Sequence, residues 1–497
     1  MNYYELSAFI VYFAIVIAVG LYFFFKSKGS DGEREYFLGG RNMNGFVAAL
    51  SAGASDMSAW VLMGLPGSIY LWGIGQIWIS IGLLLGTICS WIFIAPKLRK
   101  FSIKANDSIT IPQYLTNRFK ESSPVLQIIC AIVFVVVYCV YTASSISACG
   151  TLFNQVFGVS ATSAMIVAAA IIVLYTFLGG FKAVCWTDFF QGMLMLAALM
   201  VAPIIALFVM NAGDWVAGAA ANLPENYYNI LSSGSFNWES IANILSGFGW
   251  GLGYFGMPHI IIRYMSIRSE KEMKKSQIIG CTWTTLILFM ASVVGIVGRH
   301  YLGDILDEAN RKLVFINMVR GVFPALIAGV LLSAILAASM SSADSQLLAS
   351  SSAFASDVYK PVIRKKASKN EVMWAGRIVV VVIAIIALII ATLSAKIPTF
   401  ESIMGLVECA WGAFGAAFGP VIILSLYWRR LTFKGAIAGI VCGFAVDALW
   451  YAFLSSSTGL YEIIPGFITG LIAAVVVSLI DKAPSKEVCE LFDSASK

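Results

Sequence analysis

Charge is what this chain has least of. Only 12% of its 497 residues are Asp, Glu, Lys or Arg, about half the share of an ordinary soluble domain, while 59% are hydrophobic. So few charges cannot cover a soluble surface. Histidine is scarcer still: His259 and His300 are the only two, which argues against a zinc or haem centre built on histidine. Cysteine is present but never at CxxC spacing, and Cys89, Cys130, Cys139, Cys149, Cys185, Cys281, Cys409 and Cys442 lie in or beside apolar runs. Free thiols are expected, with neither a disulfide framework nor a metal cluster. Long hydrophilic stretches are missing as well: the largest gaps, 97 to 124 and 212 to 239, are too short for a second domain. The opening MNYYELS has no basic residue and no small-residue cleavage site follows, so the first apolar run reads as a retained helix and not as a signal peptide.

What the chain has instead is a series of apolar runs of about 20 residues, enough to cross a hydrocarbon core of about 30 Å. Thirteen are expected, at 6–25, 45–66, 72–95, 125–152, 161–180, 189–211, 240–260, 278–298, 322–353, 372–394, 403–427, 433–454 and 464–480. The chain is thus expected to be an all-α membrane protein forming one body. An odd number of spans puts the termini on opposite sides. With the N-terminus outside and the C-terminus inside, 28 of the 33 basic residues face the cytoplasm, leaving Arg299, Arg311, Lys312, Arg320 and Lys396 outside. Such a split is the positive-inside pattern. The net charge of +6 therefore reads as topology, and no nucleic-acid partner is needed to explain it.

Two spans are broken by composition. Small residues crowd SAGASDMSAW at 51–60 before GLPG, and GFGWGLGYFGMP at 247–258 holds five glycines and a proline. Both residue types cost helix stability and free backbone groups, which a bilayer tolerates only inside protein or along a cavity. Tight helix packing also uses glycine. The breaks fall in the second and seventh spans, five apart, so two five-helix units, 45–211 and 240–427, are expected in opposite orientations. Interrupted helices at matching places in inverted repeats point to a transporter's binding site.

Asp56 stands at the first break. A carboxylate in the membrane costs about 2.5 to 3.5 kcal/mol on insertion scales, so it either lines a pathway or, with Ser55, caps the second half-helix. In AILAASMSSADSQ, Ala338, Ser341, Ser342 and Ser345 share one helical face. Serines at that spacing either pack helices closely or offer neutral oxygens to a hard cation.

SAGASDMSAWVLMGLPG, GGFKAVCWTDFFQ (179–191), GWGLGYFGMPHIIIRYM (249–265), the serine helix and LYEIIPGF (460–467) together resemble the solute:sodium symporter family, from end to end and in matching order. The resemblance implies thirteen helices in the leucine-transporter fold and sodium-coupled uptake of L-proline through a multi-pass protein of the inner (plasma) membrane. It implies a sodium site from the carbonyls of Ala54, Met57 and Ala338 and the hydroxyls of Ser341 and Ser342, with Asp56 beside it. The implied proline pocket is Ser58, Trp60, Tyr141, Trp250, Tyr254 and Pro258, though buried or interfacial aromatics also serve packing. Asp188 resembles an acid that influences sodium use. Asp344 departs from some relatives, which leaves a second sodium near Asp188, Asp344 and Ser345 open, and Glu408 stands where a neutral residue is expected. No covalent catalysis is expected, and the monomer is the expected working unit. The alternatives are a symporter for another small solute, or a sodium channel or sensor on the same scaffold.

Overall fold

The computed structural model describes residues 2–26, 32–121, 123–210, 215, 223–394 and 403–496. Lys28, Lys396 and Lys497 of the basic-residue pattern, and Asn211 at the end of one expected span, lie outside them. Fourteen helical segments matter here: α1 (Tyr3–Lys26), α2 (Gly45–Asp56), α3 (Trp60–Trp72), α4 (Ile74–Lys104), α5 (Val125–Phe157), α6 (Ala161–Val209), α7 (Trp238–Trp250), α8 (Pro258–Ser266), α9 (Glu270–Leu302), α10 (Ala325–Phe354), α11 (Lys369–Ser394), α12 (Ile403–Tyr427), α13 (Phe433–Phe453) and α14 (Ile463–Ile480). Among the described residues, β-structure is limited to one isolated bridge, Met43 to Ile267.

Ten helices are long and apolar enough to cross a membrane, or eleven when α2 and α3, bent by 59°, count as one span. The difference from thirteen has two local causes. The expected fifth and sixth spans fall in the 49-residue α6, whose backbone leaves helical geometry at Gly180 (φ 61°, ψ −167°). Only glycine adopts that conformation without strain, so the break comes where the fifth run was expected to end and the next helix follows without a loop. The expected seventh span is split into α7, a 3-10 turn at Gly251–Phe255 and α8, which starts at Pro258. Neither half alone is long enough to cross.

Helix starts follow the sequence. The side chains of Asn44, Ser160, Asn237, Ser269 and Thr432 each accept a hydrogen bond from a first-turn N–H, opening α2, α6, α7, α9 and α13. At the centre, α10 is buried along most of its length and packs against α1, α5 and α6. Its small residues allow that crowding. Most of its serines hide their polarity by donating back to carbonyls three or four residues earlier: Ser333 to Gly329, Ser339 to Ile335, Ser350 to Gln346. The broken second helix touches α4 backbone to backbone. A Cβ on Gly82 would sit 2.0 Å from the Gly247 carbonyl oxygen, and one on Gly86 2.2 Å from that of Gly251. No side chain larger than hydrogen fits there.

Candidate functional site

The breaks in α2–α3 and α7–α8 and the serine face of α10 come together. Helix α2 ends at Asp56, and Met57 turns out of it (φ −79°, ψ 72°), so its carbonyl leaves the helical direction. The chain restarts through Ser58 N–H donating to Asp56 O at 2.9 Å and Val61 N–H to Ser58 O at 3.1 Å. Asp56 is therefore the last residue of the first half-helix and does not cap the second, which begins without any side-chain cap. Its carboxylate, 1% exposed, accepts the Tyr254 hydroxyl on Oδ2, while Oδ1 is buried with no hydrogen-bond partner. An unpartnered buried carboxylate oxygen is costly, and a cation beside it would offset that cost.

On α10 three serines behave unlike the rest: Ser341 and Ser342 at this site, and Ser345 in a separate network. Ser341 Oγ lies 2.8 Å from the carbonyl oxygen of Ala54 and 3.2 Å from that of Ala338. Ser342 Oγ is buried and unpartnered. Three of the five oxygens expected around sodium are thus in hydrogen-bond contact across two helices, and a fourth belongs to the neighbouring residue. All are uncharged, the donor chemistry that suits a hard monovalent cation in a low-dielectric interior. Among the described residues, no group of three or more His, Cys, Asp or Glu could hold a metal ion.

The aromatic residues form a continuous cluster at the other side of the breaks. Trp60 and Trp250 lie 6.2 Å apart by ring centroid, and Tyr254 donates into Asp56 between the broken segments. Tyr141 and Ser58 are buried with their hydroxyls beside each other, and Pro258 sets the first turn of α8. Two members were not anticipated. Trp411 on α12 packs edge-on to Tyr254 at 5.2 Å and donates its indole N–H to Trp250 O at 2.8 Å; Tyr461 packs at a tilt against Trp250 at 5.1 Å. Trp411 stands three residues after the unexpected Glu408 in LVECAWG and Tyr461 beside Glu462 in LYEIIPGF, and nothing in either stretch ties its aromatic to the distant breaks.

Ser345, expected on the same face as Ser341, belongs to a different network. Asp188 on α6 pairs with Arg263 on α8 at 3.0 Å and accepts Ser51 Oγ at 2.6 Å. Arg263 also donates to Ser51 at 2.9 Å, to Ser345 and to the His259 carbonyl. Ser345 donates to Asp344 at 3.0 Å, whose other oxygen takes Tyr175 at 2.7 Å. The chain's own guanidinium therefore occupies the space between Asp188 and Ser345. A buried pair of this kind fixes geometry more than it adds stability.

The Sodium:solute symporter family model matches residues 36–443. The high-affinity proline transporter PutP of Bacillus subtilis (strain 168) is 42% identical over 95% of this chain and 97% of its own length. The sodium/proline symporter of Escherichia coli (strain K12) is 42% identical over 99% and 96%. Among solved structures, a Na+-coupled sialic acid symporter in a substrate-bound outward-open state superposes with a TM-score of 0.79 at 20% identity, covering 98% of this chain and 99% of that one; MhsT, solved with L-phenylalanine, gives 0.55 at 14%, covering 88% and 97%. With a family model spanning most of the chain and end-to-end relatives above 40% identity, the protein belongs to the sodium:solute symporter family.

Proposed function

We propose that the protein couples inward sodium flow to uptake of L-proline across the plasma membrane. The observation that carries this reading is the Ser341 hydroxyl bridging the carbonyls of Ala54 and Ala338 across a broken helix, with the unpartnered oxygens of Ser342 and Asp56 beside it. Sodium binds among Ala54, Met57, Ala338, Ser341 and Ser342, with Asp56 as its counter-charge. The cation replaces the Ser341 hydrogen bond to Ala54 and draws α2 and α10 together. Proline binds between Ser58, Trp60, Tyr141, Trp250, Tyr254 and Pro258, its ring against the aromatics and its charged ends toward the buried hydroxyls and freed backbone. Proline as the solute follows the end-to-end relatives, a proline transporter and a sodium/proline symporter. Asp188 keeps its charge paired with Arg263, which leaves the reading with one sodium in this arrangement.

The topology belongs to the same reading: thirteen spans, counting α6 as two and α7–α8 as one, with the N-terminus outside and repeats at 45–211 and 240–427. No chemical bond changes. One sodium entering gains about 2.3 kcal/mol per 100 mV and about 1.4 kcal/mol per tenfold gradient. Coupling is reciprocal, so sodium raises proline affinity by the factor by which proline raises sodium affinity. Sodium-dependent counterflow of labelled proline in proteoliposomes tests the reading. Counterflow of another small solute in its place would reassign the substrate, and sodium flux without any counterflow would make the protein a channel.

A further inference from the structure

Three carboxylates meet at one end of the bundle, the outer end in the topology proposed above. Glu408 lies early in α12, Asp447 late in α13, and Glu462 directly before α14. Asp447 is 2% exposed and Glu462 1%. Asp447 Oδ1 and Glu462 Oε1 are buried and meet no hydrogen-bond partner. Both side chains border one methyl-sized space on α12: a Cβ on Gly412 would lie 2.9 Å from Asp447 Oδ1 and 3.3 Å from Glu462 Cγ. Among the described residues none of the three acids makes an ion pair. The cation whose charge reaches this group is Arg311, which acts on Glu408. The other titratable groups facing the pair are Cys409 on α12, Tyr451 on α13 and Tyr461 beside Glu462.

Two carboxylates buried side by side lose their hydration and repel each other. A single proton resolves both costs, because a protonated carboxyl is neutral and donates an O–H to its neighbour. Burial, and then the carboxylates of Glu408 and Asp447, push the Glu462 carboxyl well above the usual carboxylate range.

We propose that Asp447 and Glu462 form a proton-binding site that holds the outer end of the bundle closed over the aromatic cluster. The connection is direct. Tyr461, next to Glu462, packs at a tilt against Trp250 and donates to the Glu408 carbonyl at 2.9 Å. Trp411, next to Gly412, donates to the Trp250 carbonyl. When the proton leaves, a second negative charge appears between α12 and the α13–α14 pair, pushes them apart and draws Tyr461 off Trp250. The solute site then opens outward and holds its ligand less well.

Infrared difference spectra of the purified full chain in lipid, recorded while pH is raised, should show a protonated carboxylic-acid carbonyl band at neutral pH that disappears on alkalinisation. The band should shift or weaken in Asp447→Asn and in Glu462→Gln, because each variant removes one member of the pair. Sodium-driven proline uptake with internal pH clamped should fall at least twofold in the parent as external pH rises through about 9, where burial and the neighbouring carboxylates hold the Glu462 carboxyl. Both variants should keep the neutral-pH rate throughout. A missing band, a band unchanged in both variants, or variants that follow the parent's pH profile would overturn the proposal. The uptake arm rests on the proposed function; the spectra do not, so failure of proline transport and failure of the proton site are told apart.

Discussion

Ser341 on α10 donates its hydroxyl proton to the carbonyl oxygen of Ala54, 287 residues away in sequence and 2.8 Å away in space. One helix thus spends a side chain on the exposed backbone of another, at the point where that other helix stops being a helix. Its neighbour Ser342 has no such partner, and the two should respond differently to the same change.

Ser341→Ala is expected to destabilise the sodium-free protein by about 1 kcal/mol, the net worth of one buried hydrogen bond. Ser342→Ala should leave the sodium-free protein as stable or slightly more so, because it removes an unsatisfied hydroxyl. Both should raise the sodium concentration for half-maximal uptake, by about tenfold each if one ligand oxygen is worth about 1.4 kcal/mol. Thermal unfolding with and without sodium, alongside uptake titrations, measures both effects. If either variant titrates like the parent, that hydroxyl is not a ligand.

Asp56→Asn keeps shape and can still accept the Tyr254 hydroxyl, but removes the charge. Sodium affinity should fall by about tenfold or more, with proline binding in saturating sodium much less affected, since the two are linked only through the cation. Asp56→Glu should retain part of the sodium response. Near-parental uptake by Asp56→Asn at low sodium would remove the carboxylate from the cation's surroundings.

Trp60→Ala and Trp250→Ala should each weaken proline binding by about 1 to 3 kcal/mol through lost apolar contact. Their rings are neighbours in one cluster, so the double variant should lose less than the two losses together. Equilibrium binding of labelled proline decides it; unchanged affinity in both single variants would move the solute elsewhere.

Gly82→Ala and Gly251→Ala should destabilise the folded protein by about 1 to 3 kcal/mol, the usual cost of overpacking, because each Cβ would press on backbone oxygen and carbon. Thermal unfolding in detergent reads this, and parental stability in both would mean that the helices separate freely at that contact.

How much of this was legible in the sequence depended on whether a signal was local. Glycine and proline punctuate a chain wherever they stand, so both broken helices showed in SAGASDMSAW and GFGWGLGYFGMP. Serines at i, i+3, i+4 and i+7 mark a helical face without any partner being known. That Ser345 at the end of this face turns to Arg263 while Ser341 turns to Ala54 was not legible, because it depends on which helix lies opposite each turn. The Asp188–Arg263 pair joins residues 75 apart, and no periodicity encodes it. Trp411 and Tyr461 look like any aromatic in an apolar stretch. The helix count shows the same limit: the run boundary near Gly180 was visible, but the continuation into the next helix without a loop depends on one backbone conformation.

The glycine contact between α4 and the second broken helix has a mechanical consequence. Elsewhere in the bundle side chains of neighbouring helices interlock, and any displacement must lift one out of the recess that holds it. At Gly82, Gly86 and Gly251 backbone meets backbone, while Gly247 lies against Trp78, whose ring packs on Phe248. The segment that carries Trp250 therefore has no side-chain layer between it and α4 at Gly82 and Gly86, so any shift of α4 acts directly on the backbone of that segment.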